Sequence, residues 1–208
     1  TRLPRSYGFD PIRDIQVLCP TKLGPTGTQA LNVELQNLLN PEQKGKPQLQ
    51  SASRVFRVGD KVMQVRNNYD IVWEKEHDPE EEGTGMFNGD VGKIVGISLR
   101  DENLCVQFDD KLAHYTFDML GELELAYAMT VHKSQGSEFD AVIVALPAGI
   151  GRRLLTRNIL YTAITRAKKL LVLVGDADVT ETMVHTNTRN RRYSALRARL
   201  IRQVPEDA

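Results

Sequence analysis

Several features that would assign a protein to a large structural class are missing from this 208-residue sequence. No apolar run approaches the roughly 20 residues that cross a bilayer, and the start does not resemble a signal peptide. The chain begins at Thr1 rather than Met, so we expect it to be an excised piece of something longer. These absences predict a cytoplasmic protein that makes no membrane contact.

Cysteine and histidine are scarce, and their spacing does not suggest a metal site. The two cysteines, Cys19 and Cys105, stand in separate apolar, strand-like surroundings. We expect buried free thiols in a reducing compartment, and a disulfide between them is the alternative. His77, His114 and His185 show no ligand spacing either, so we predict that the protein binds no metal of its own.

The sequence also lacks the phosphate loop of nucleotide hydrolases. The pattern G-x-x-x-x-G-K-[ST] occurs nowhere, and the turn GPTG at residues 24–27 has no GK[ST] ending. A complete nucleotide-hydrolysing site is therefore excluded, and the chain can supply at most half of one.

What is present is an ordinary globular composition in which charge is strongly segregated. Residues 1–69 hold ten Lys/Arg against five Asp/Glu, residues 70–125 four against fifteen, and residues 150–208 twelve against five. Solvated surface accounts for such charge runs in most proteins. Alternatively, the two basic flanks form one domain that faces a polyanion, and the acidic middle is a separate body.

The first fifty residues predict a strand, a helix and a linker. DIQVLCP, at residues 14–20, is a β-rich apolar run that ends at a proline. Residues 28–40 predict a helix, because their apolar residues recur at helical spacing. These residues are Ala30, Leu31, Leu35, Leu38 and Leu39. Residues 41–53 are polar and contain glycine and proline, so we interpret them as a loop or linker.

The middle of the chain predicts a small antiparallel barrel. Short candidate strands recur at roughly ten-residue spacing between residues 55 and 125. They are KVMQV, VGKIVGIS, NLCVQF, AHYTF and ELELA. The acidic stretch WEKEHDPEEEGTG, residues 73–85, is predicted to be an exposed hairpin tip.

An α/β rhythm returns after Tyr127. The strand AVIVAL, the helix LLTRNILYTAITRA, the strand LLVLVG and a basic helix at about residues 188–203 follow in order. We therefore predict an α/β protein in which a parallel-sheet domain, residues 1–52 and 126–208, carries a barrel inserted at residues 53–125.

The most polar segment of the chain, TVHKSQGSEFD at residues 130–140, lies between two apolar runs. Ligands gather at the carboxyl ends of parallel strands, so we predict that this segment is polar because it contacts a ligand. Its phosphate-compatible donors are Thr130, His132, Lys133 and Ser134. Gly136 permits close backbone approach, and Glu138 can accept hydrogen bonds from a ribose hydroxyl. A helix cap followed by a surface loop explains the same residues without a ligand.

A second candidate segment, YTAITRAKK, ends an apolar helix at residues 161–169. The guanidinium of Arg166 is always charged and can fork onto phosphate oxygens. The alternative is a helix C-terminus whose cations complement the helix dipole.

Together these segments resemble the C-terminal half of a superfamily 1 helicase of the RecD-like (RecD/TraA) branch. TVHKSQGSEFD resembles helicase motif V, LYTAITRAKK resembles motif VI, and residues 14–41 are similar to the motif IV region. FRVGDKVMQVRNNYD with FNGDVGKIVGI is similar to the inserted SH3-like barrel of this branch. The acidic stretch at residues 71–86 is longer than in many relatives, and the first motor domain is not in this sequence.

The resemblance implies a RecA-like motor domain of the P-loop NTPase type, without the P-loop, that carries an SH3-like barrel. It implies ATP-dependent 5′-to-3′ translocation along single-stranded DNA with unwinding at duplex junctions. ATP and Mg²⁺ would be held mainly by the N-terminal motor domain of the same protein. The isolated chain is therefore expected to be inactive as an ATPase.

The resemblance also assigns roles to individual residues. Arg166 would be an arginine finger on ATP, and Gln135 would link the DNA and ATP sites. Nucleotide contacts would come from Gly136 and Glu138. The expected DNA contacts are Thr130, His132, Lys133, Thr21, Lys22, Arg66, Asn67 and Asn88.

Two other interpretations remain open. The same module occurs in conjugative relaxase-helicases. Only the sequence upstream of Thr1 would distinguish such a protein from a RecD-like helicase. A stand-alone nucleic-acid-binding module is a third interpretation, although mere binding would need no arginine finger at Arg166.

Overall fold

A computed structural model describes residues 2–52 and 54–187 of the chain. Its α-helices are α1 (Arg2–Tyr7), α2 (Thr28–Leu39), α3 (Arg157–Ile164) and α4 (Ala177–His185), with 3₁₀ turns at Phe117–Glu122 and Arg152–Leu154. Its strands are β1 (Ile15–Cys19), β2 (Gln48–Ser51), β3 (Arg54–Arg57), β4 (Lys61–Gln64), β5 (Asn68–Lys75), β6 (Glu82–Met86), β7 (Val91–Ser98), β8 (Asn103–Phe108), β9 (Lys111–Thr116), β10 (Leu123–Leu125), β11 (Ala128–Thr130), β12 (Phe139–Leu146) and β13 (Ala167–Gly175).

A four-stranded parallel sheet joins the two ends of the described chain. Its strand order is β11-β1-β12-β13. Val17 of β1 pairs with Ala128 on one side and with Ile143 on the other, so residues more than a hundred positions apart are neighbours. The apolar core of this domain includes Leu18, Val142 and Leu160. The predicted parallel-sheet domain with an all-β interlude is confirmed.

The interlude is a seven-stranded antiparallel sheet with the order β10-β4-β7-β8-β9-β5-β6, which we call the barrel. Strands β7 and β8 have the bounds that the sequence predicted. Along β8, buried and half-buried residues alternate because one face covers the core and the other meets water. Phe56, Ile94 and Tyr115 are fully buried in that core.

Two predicted loops contain strands. The polar stretch 41–53 includes β2, which pairs with β3 so that Leu49 lies opposite Phe56 and packs against the barrel core. A single apolar residue in a polar run carries no period, so no strand signal is present there. In the acidic stretch, only the central residues form the hairpin tip. Trp73 packs against the core, with Lys111 Nζ 4.1 Å from its ring centroid.

Helix α2 buries a row of polar residues beside part of its apolar face, of which Leu35 and Leu39 pack against the barrel core. Leu38 is 75% exposed, whereas Asn32 and Gln36 are buried on the opposite side. Asn32 Nδ2 donates to the carbonyl oxygens of Leu125 and Ala128, both at 2.9 Å, and Asn32 Oδ1 accepts from the Ala128 backbone N–H at 2.7 Å. The helix was therefore predicted at the right place, and the burial of its amides was not, because backbone groups of β10 and β11 are its neighbours.

Asp60, between β3 and β4, is completely buried and extends this polar contact. Its carboxylate accepts from Gln36 Nε2 and Asn40 Nδ2, both at 2.6 Å, from Tyr127 Oη at 2.8 Å, and from the Arg57 backbone N–H at 2.7 Å. Four donors satisfy a charge that would otherwise be very costly to bury. We call the side chains of Asn32, Gln36, Asn40, Asp60 and Tyr127 the polar network.

The remaining helical predictions fare unevenly. The helix predicted at residues 154–167 is shorter, because Thr156 caps α3 through its Oγ1, which accepts from the Ile159 N–H at 3.4 Å. The basic helix predicted at about residues 188–203 lies outside the described residues.

Across residues 2–52 and 54–187, no helix combines the length and apolar character that crossing a membrane requires. Cys19 is buried and free, and burial raises the pKa of its thiol to about 11.

Replacing Asn32 tests whether the polar network holds the two bodies together. Asn32→Ala should lower the free energy of unfolding by about 2–3 kcal/mol, because it leaves buried backbone groups of Leu125 and Ala128 without partners. Urea unfolding followed by Trp73 fluorescence measures the change. Val33→Ala, an exposed change on the same helix, is the control and should stay within about 0.5 kcal/mol. An equally small effect at Asn32 would contradict the assignment.

Candidate functional site

Two loops leave the parallel sheet at the same edge, because β1 and β11 are adjacent and parallel. Cys19, the last residue of β1, pairs with Thr130, the last residue of β11. The loop that contains Thr21 and Lys22 therefore starts beside residues 131–137, which we call the motif turn. The predicted ligand-contacting segment does lie at a strand's carboxyl end.

Internal hydrogen bonds shape the motif turn. The Ser134 N–H donates to Thr130 O at 3.2 Å, and Ser134 Oγ donates to Val131 O at 2.9 Å. Ser134 is fully buried, so it stabilises the turn and does not face a ligand. Gly136 has a φ of +91° with open space where a Cβ would lie, so its backbone conformation, rather than crowding, favours glycine. His132 and Gln135 are exposed on the turn.

Three cations from three segments meet at one carboxylate. Glu124 Oε2 accepts from Lys133 Nζ at 2.9 Å, while Glu124 Oε1 accepts from Lys22 Nζ at 2.9 Å and lies 3.5 Å from Arg54 Nη2. Burial alone would raise the pKa of Glu124, but the hydrogen bonds and charges of Lys133 and Lys22 outweigh it and lower the pKa to about 2. The cluster keeps an excess of positive charge at neutral pH.

Sequence reasoning missed Glu124 and Arg54. Glu124 lies in the strand candidate ELELA. Arg54 directly follows the predicted linker and is far in sequence from the other members of the cluster. Its Nη1 donates to Leu123 O at 2.7 Å, which fixes the side chain beside Glu124. A lone acid in the apolar run LELAYAM was the available signal for Glu124.

A cavity of about 530 Å³ separates the motif turn from the barrel. Its lining includes His132, Lys133 and Gln135 from the turn and Asn88 from the barrel. We call residues 87–90, which connect β6 to β7, the barrel turn. Asn67 Oδ1 accepts from the Asn88 backbone N–H at 2.9 Å, which brings another predicted DNA contact to the same region.

Two predicted DNA contacts stand apart from this cavity. Thr21 is turned toward helix α2, and its carbonyl oxygen accepts from the Thr28 N–H at 3.1 Å. Arg66 is exposed on the barrel, two residues beyond the end of β4. Neither residue lines the cavity.

The predicted nucleotide-contacting residues come together on the far part of the motif turn. Arg166 Nη1 donates to Ser137 O at 3.1 Å, and Arg166 Nε donates to Thr162 O at 3.2 Å. The Arg166 carbonyl in turn accepts from the Phe139 N–H at 2.8 Å. Glu138 is exposed and lies 3.5 Å from Lys168 Nζ. Motifs separated by nearly thirty residues thus form one surface.

This surface supplies no evident metal site of its own. Among residues 2–52 and 54–187, no three His, Cys, Asp or Glu side chains are grouped so that they could hold an ion. What the described residues can offer a nucleotide is a guanidinium, a glycine backbone and a carboxylate.

Two family descriptions match the chain. Residues 31–108 match the ATP-dependent RecD-like DNA helicase SH3 domain, and residues 125–174 match the UvrD-like helicase C-terminal domain. The first match begins within helix α2, the helix that the polar network joins to the barrel.

Proteins from bacteria are similar over most of the chain. The ATP-dependent RecD2 DNA helicase of Deinococcus radiodurans is 33% identical over 186 residues, which cover 89% of this chain and 23% of that protein. The RecBCD enzyme subunit RecD of Mycobacterium tuberculosis strain H37Rv is also 33% identical over 186 residues, covering 89% of this chain and 28% of that subunit. The chain thus spans about a quarter of the length of these curated relatives.

A solved structure supports the fold. The Pif1 helicase from Bacteroides, in complex with ADP-AlF₃ and single-stranded DNA, superposes with a TM-score of 0.51 at 18% identity. The match covers 95% of this chain and 47% of that one. At this identity the likeness concerns architecture, and it agrees with a RecA-like sheet that carries an SH3-like domain.

The charge of Glu124 should matter for stability in a pH-dependent way. Glu124→Gln should lower the free energy of unfolding by roughly 2 kcal/mol at pH 7, since it removes the carboxylate between three cations. The pKa of Glu124 in the folded state lies below its ordinary value of 4.5, so the stabilisation is present above that pH and is lost as the pH falls toward 2.

Urea unfolding at pH 7 and pH 3 measures this difference. The gap between wild type and Glu124→Gln should shrink by more than half at pH 3. Glu81→Gln is the matched control, because Glu81 pairs with Lys75 at an exposed position and should contribute little at either pH. A gap that is the same at both pH values would count against the cluster.

Proposed function

Since the chain belongs to the RecD-like superfamily 1 helicases, we propose that it is the C-terminal motor half of an ATP-dependent DNA helicase. Residues 1–52 and 126–208 would form the second motor domain, and residues 53–125 the inserted SH3-like barrel. One observation carries the proposal: the motif turn lines the cavity with Lys133 and contacts Arg166 through Ser137. A single short segment therefore touches both candidate sites.

The DNA track of the proposal follows the basic side of the motif turn. Lys22 and Lys133 would attract the phosphates of single-stranded DNA, with Thr130 and His132 beside them. The exposed barrel amides of Asn67 and Asn88 would extend the track, as would Thr21 and Arg66. Glu124 would align the two lysine side chains, because both donate to its carboxylate at 2.9 Å.

The nucleotide side of the proposal depends on Arg166. ATP with Mg²⁺ would be bound mainly by the preceding motor domain, with Gly136 and Glu138 contacting the nucleotide. In the structure the Arg166 guanidinium donates only to neutral oxygens, at 3.1 to 3.4 Å. A phosphate oxygen is a stronger, charged acceptor, so the guanidinium can exchange these bonds for a bidentate contact when the two motor domains close.

Coupling between the two sites would run through the motif turn. Gln135 lines the cavity beside Lys133 and stands two residues before Ser137, whose carbonyl oxygen accepts from Arg166. Movement of Arg166 onto a phosphate would release that carbonyl and shift the turn that carries the DNA contacts. Repeated closure and opening of this kind would drive 5′-to-3′ movement along the strand.

Replacing Arg166 tests the nucleotide side. In a protein that joins this chain to a phosphate-loop motor domain, Arg166→Ala should lower kcat about 10³- to 10⁵-fold, because an arginine finger stabilises transition-state charge. Arg166→Lys should rescue poorly, since a point charge cannot replace the planar fork. The isolated chain should show no ATPase activity at all.

The measurement is kcat at saturating DNA, beside a thermal melt and ATP and DNA binding. Binding should be largely preserved in Arg166→Ala. If kcat stays within about tenfold of wild type while the melting temperature falls, Arg166 is a structural tie between the two motifs and not a finger.

Replacing Lys133 tests the DNA side on the isolated chain. Lys133→Ala should weaken binding to single-stranded DNA and reduce the slope of log K against log salt by about 0.7, the value for one lost phosphate contact. Anisotropy titrations at salt concentrations from about 50 to about 200 mM give the slope, because binding through phosphate contacts changes strongly over this range. Lys44→Ala, an exposed lysine outside the cavity, should leave it unchanged. Equal slopes for both variants would remove Lys133 from the track.

A further inference from the structure

The barrel exposes two aromatic side chains next to each other. Tyr69, in β5, is 66% exposed, and Phe87, in the barrel turn, is 46% exposed. Their ring centroids are 5.7 Å apart and their planes are inclined at 77°. Other aromatic side chains of the barrel, such as Phe56 and Tyr115, are fully buried. A solvent-exposed aromatic surface formed by two neighbouring residues indicates a binding role.

Local hydrogen bonds hold this pair in place. The Phe87 N–H donates to Asp90 Oδ2 at 2.8 Å, and Asn68 Nδ2 donates to Glu122 Oε2 at 3.1 Å beside Tyr69. Gly85, with a φ of +102°, would place a Cβ 3.4 Å from the Phe87 ring. The ring therefore lies close over the strand, where a side chain at residue 85 would crowd it.

The aromatic pair lies at the barrel side of the candidate DNA site. Phe87 lines a hollow of about 380 Å³ together with Ser137 of the motif turn. Asn88, its neighbour in the chain, lines the larger cavity with His132 and Lys133. A DNA strand whose sugar-phosphate backbone lies on the motif turn would thus have the barrel turn on its other side.

Charge decides which part of such a strand can face the barrel. Asp90, Asp109 and Asp110 line the hollow beside Phe87 together with Lys111, so its net negative charge repels phosphates. Lys133, which attracts them, lines the larger cavity on the side of the motif turn, where Asp90 also lies. An uncharged base has no such conflict with the acidic side. The backbone would therefore lie toward the motif turn and the bases toward the barrel.

We propose that Tyr69 and Phe87 form a stacking platform for an unpaired base of single-stranded DNA. The proposal rests on the proposed function, because the strand must occupy the cavity for a base to reach the rings. Stacking on an aromatic face is tolerant of sequence, since every base has a π-face. The amide of Asn88, next to the platform, can bond to base edges as well.

The test is fluorescence anisotropy of the 208-residue chain with a labelled oligothymidine of about 20 nucleotides, long enough for several contacts. Tyr69→Ala and Phe87→Ala should each weaken binding about tenfold, within the range found for one stacked base. Tyr69→Phe should bind like wild type, because it keeps the ring. An abasic oligonucleotide of equal length should bind wild type and all variants alike.

Tyr7→Ala is the matched control. Tyr7 is 60% exposed and stacks on half-buried Phe9 with centroids 6.1 Å apart, so it is an exposed, ring-paired tyrosine elsewhere on the chain. It should leave binding unchanged. A thermal melt checks the fold of each variant, and Tyr69→Leu, which keeps bulk without the ring, replaces Tyr69→Ala if that variant does not fold.

The outcomes separate this inference from the proposed function. If wild type binds neither oligonucleotide, the DNA track itself fails. If it binds oligothymidine but the ring variants bind equally well, the platform is overturned and the track stands. Equal losses on the abasic and thymidine strands would also overturn the platform, because the rings would then act on the backbone contact and not on a base.

Discussion

A completely buried carboxylate, Asp60, is the constraint on which the arrangement of the two bodies depends. Removing a charge from water is tolerable only when every lone pair has a partner, and here Gln36, Asn40 and Tyr127 provide side-chain donors. Burial, followed by the nearby Asp60 charge, raises the pKa of Tyr127, so its hydroxyl remains a donor. Because Tyr127 immediately precedes β11, the network fixes where that strand starts, and the strand's end fixes the motif turn. The barrel therefore helps to position the site without supplying most of it.

The junction of the two bodies adds a second buried charge. Lys61 of β4 donates to the Ile15 carbonyl at 3.3 Å and lies 5.7 Å from the Phe139 ring centroid, so one barrel side chain contacts the segments of two parallel strands. Burial lowers the pKa of Lys61 to about 8. The surface charges on the two sides of this junction differ in sign. Acidic residues dominate the barrel, and Lys22 and Lys133 lie on the parallel-sheet side. Glu124 is the exception, an acid placed among cations, where it orders them.

Much of the fold was predictable because the relevant signals are local. The alternation in β7 and β8 gave their bounds, the apolar runs at β1 and β12 indicated buried strands, and the run at β13 indicated a further strand of the sheet. Strand β2 was not predictable, since Leu49 packs on the barrel core only after β3 pairs with it. The burial of Asn32 and Gln36 on α2 was not predictable for a similar reason: their partners are backbone carbonyls and Asp60, which come from distant segments. For the site, the sequence identified the segments at 130–140 and 161–169, and their residue roles stay predictions.

The sequence by itself determined the order of elements, the two charged bodies and the two segments that carry the candidate chemistry, because periodicity, turn residues and motif spacing are properties of contiguous residues. Only the tertiary structure decided that Lys22, Arg54 and Lys133 share Glu124, that Arg166 reaches Ser137, and that Tyr69 lies against Phe87. Hydrogen bonds and ion pairs act over a few ångströms in space, regardless of separation along the chain. The folding of the parallel sheet around the barrel sets those distances, and no local pattern encodes them.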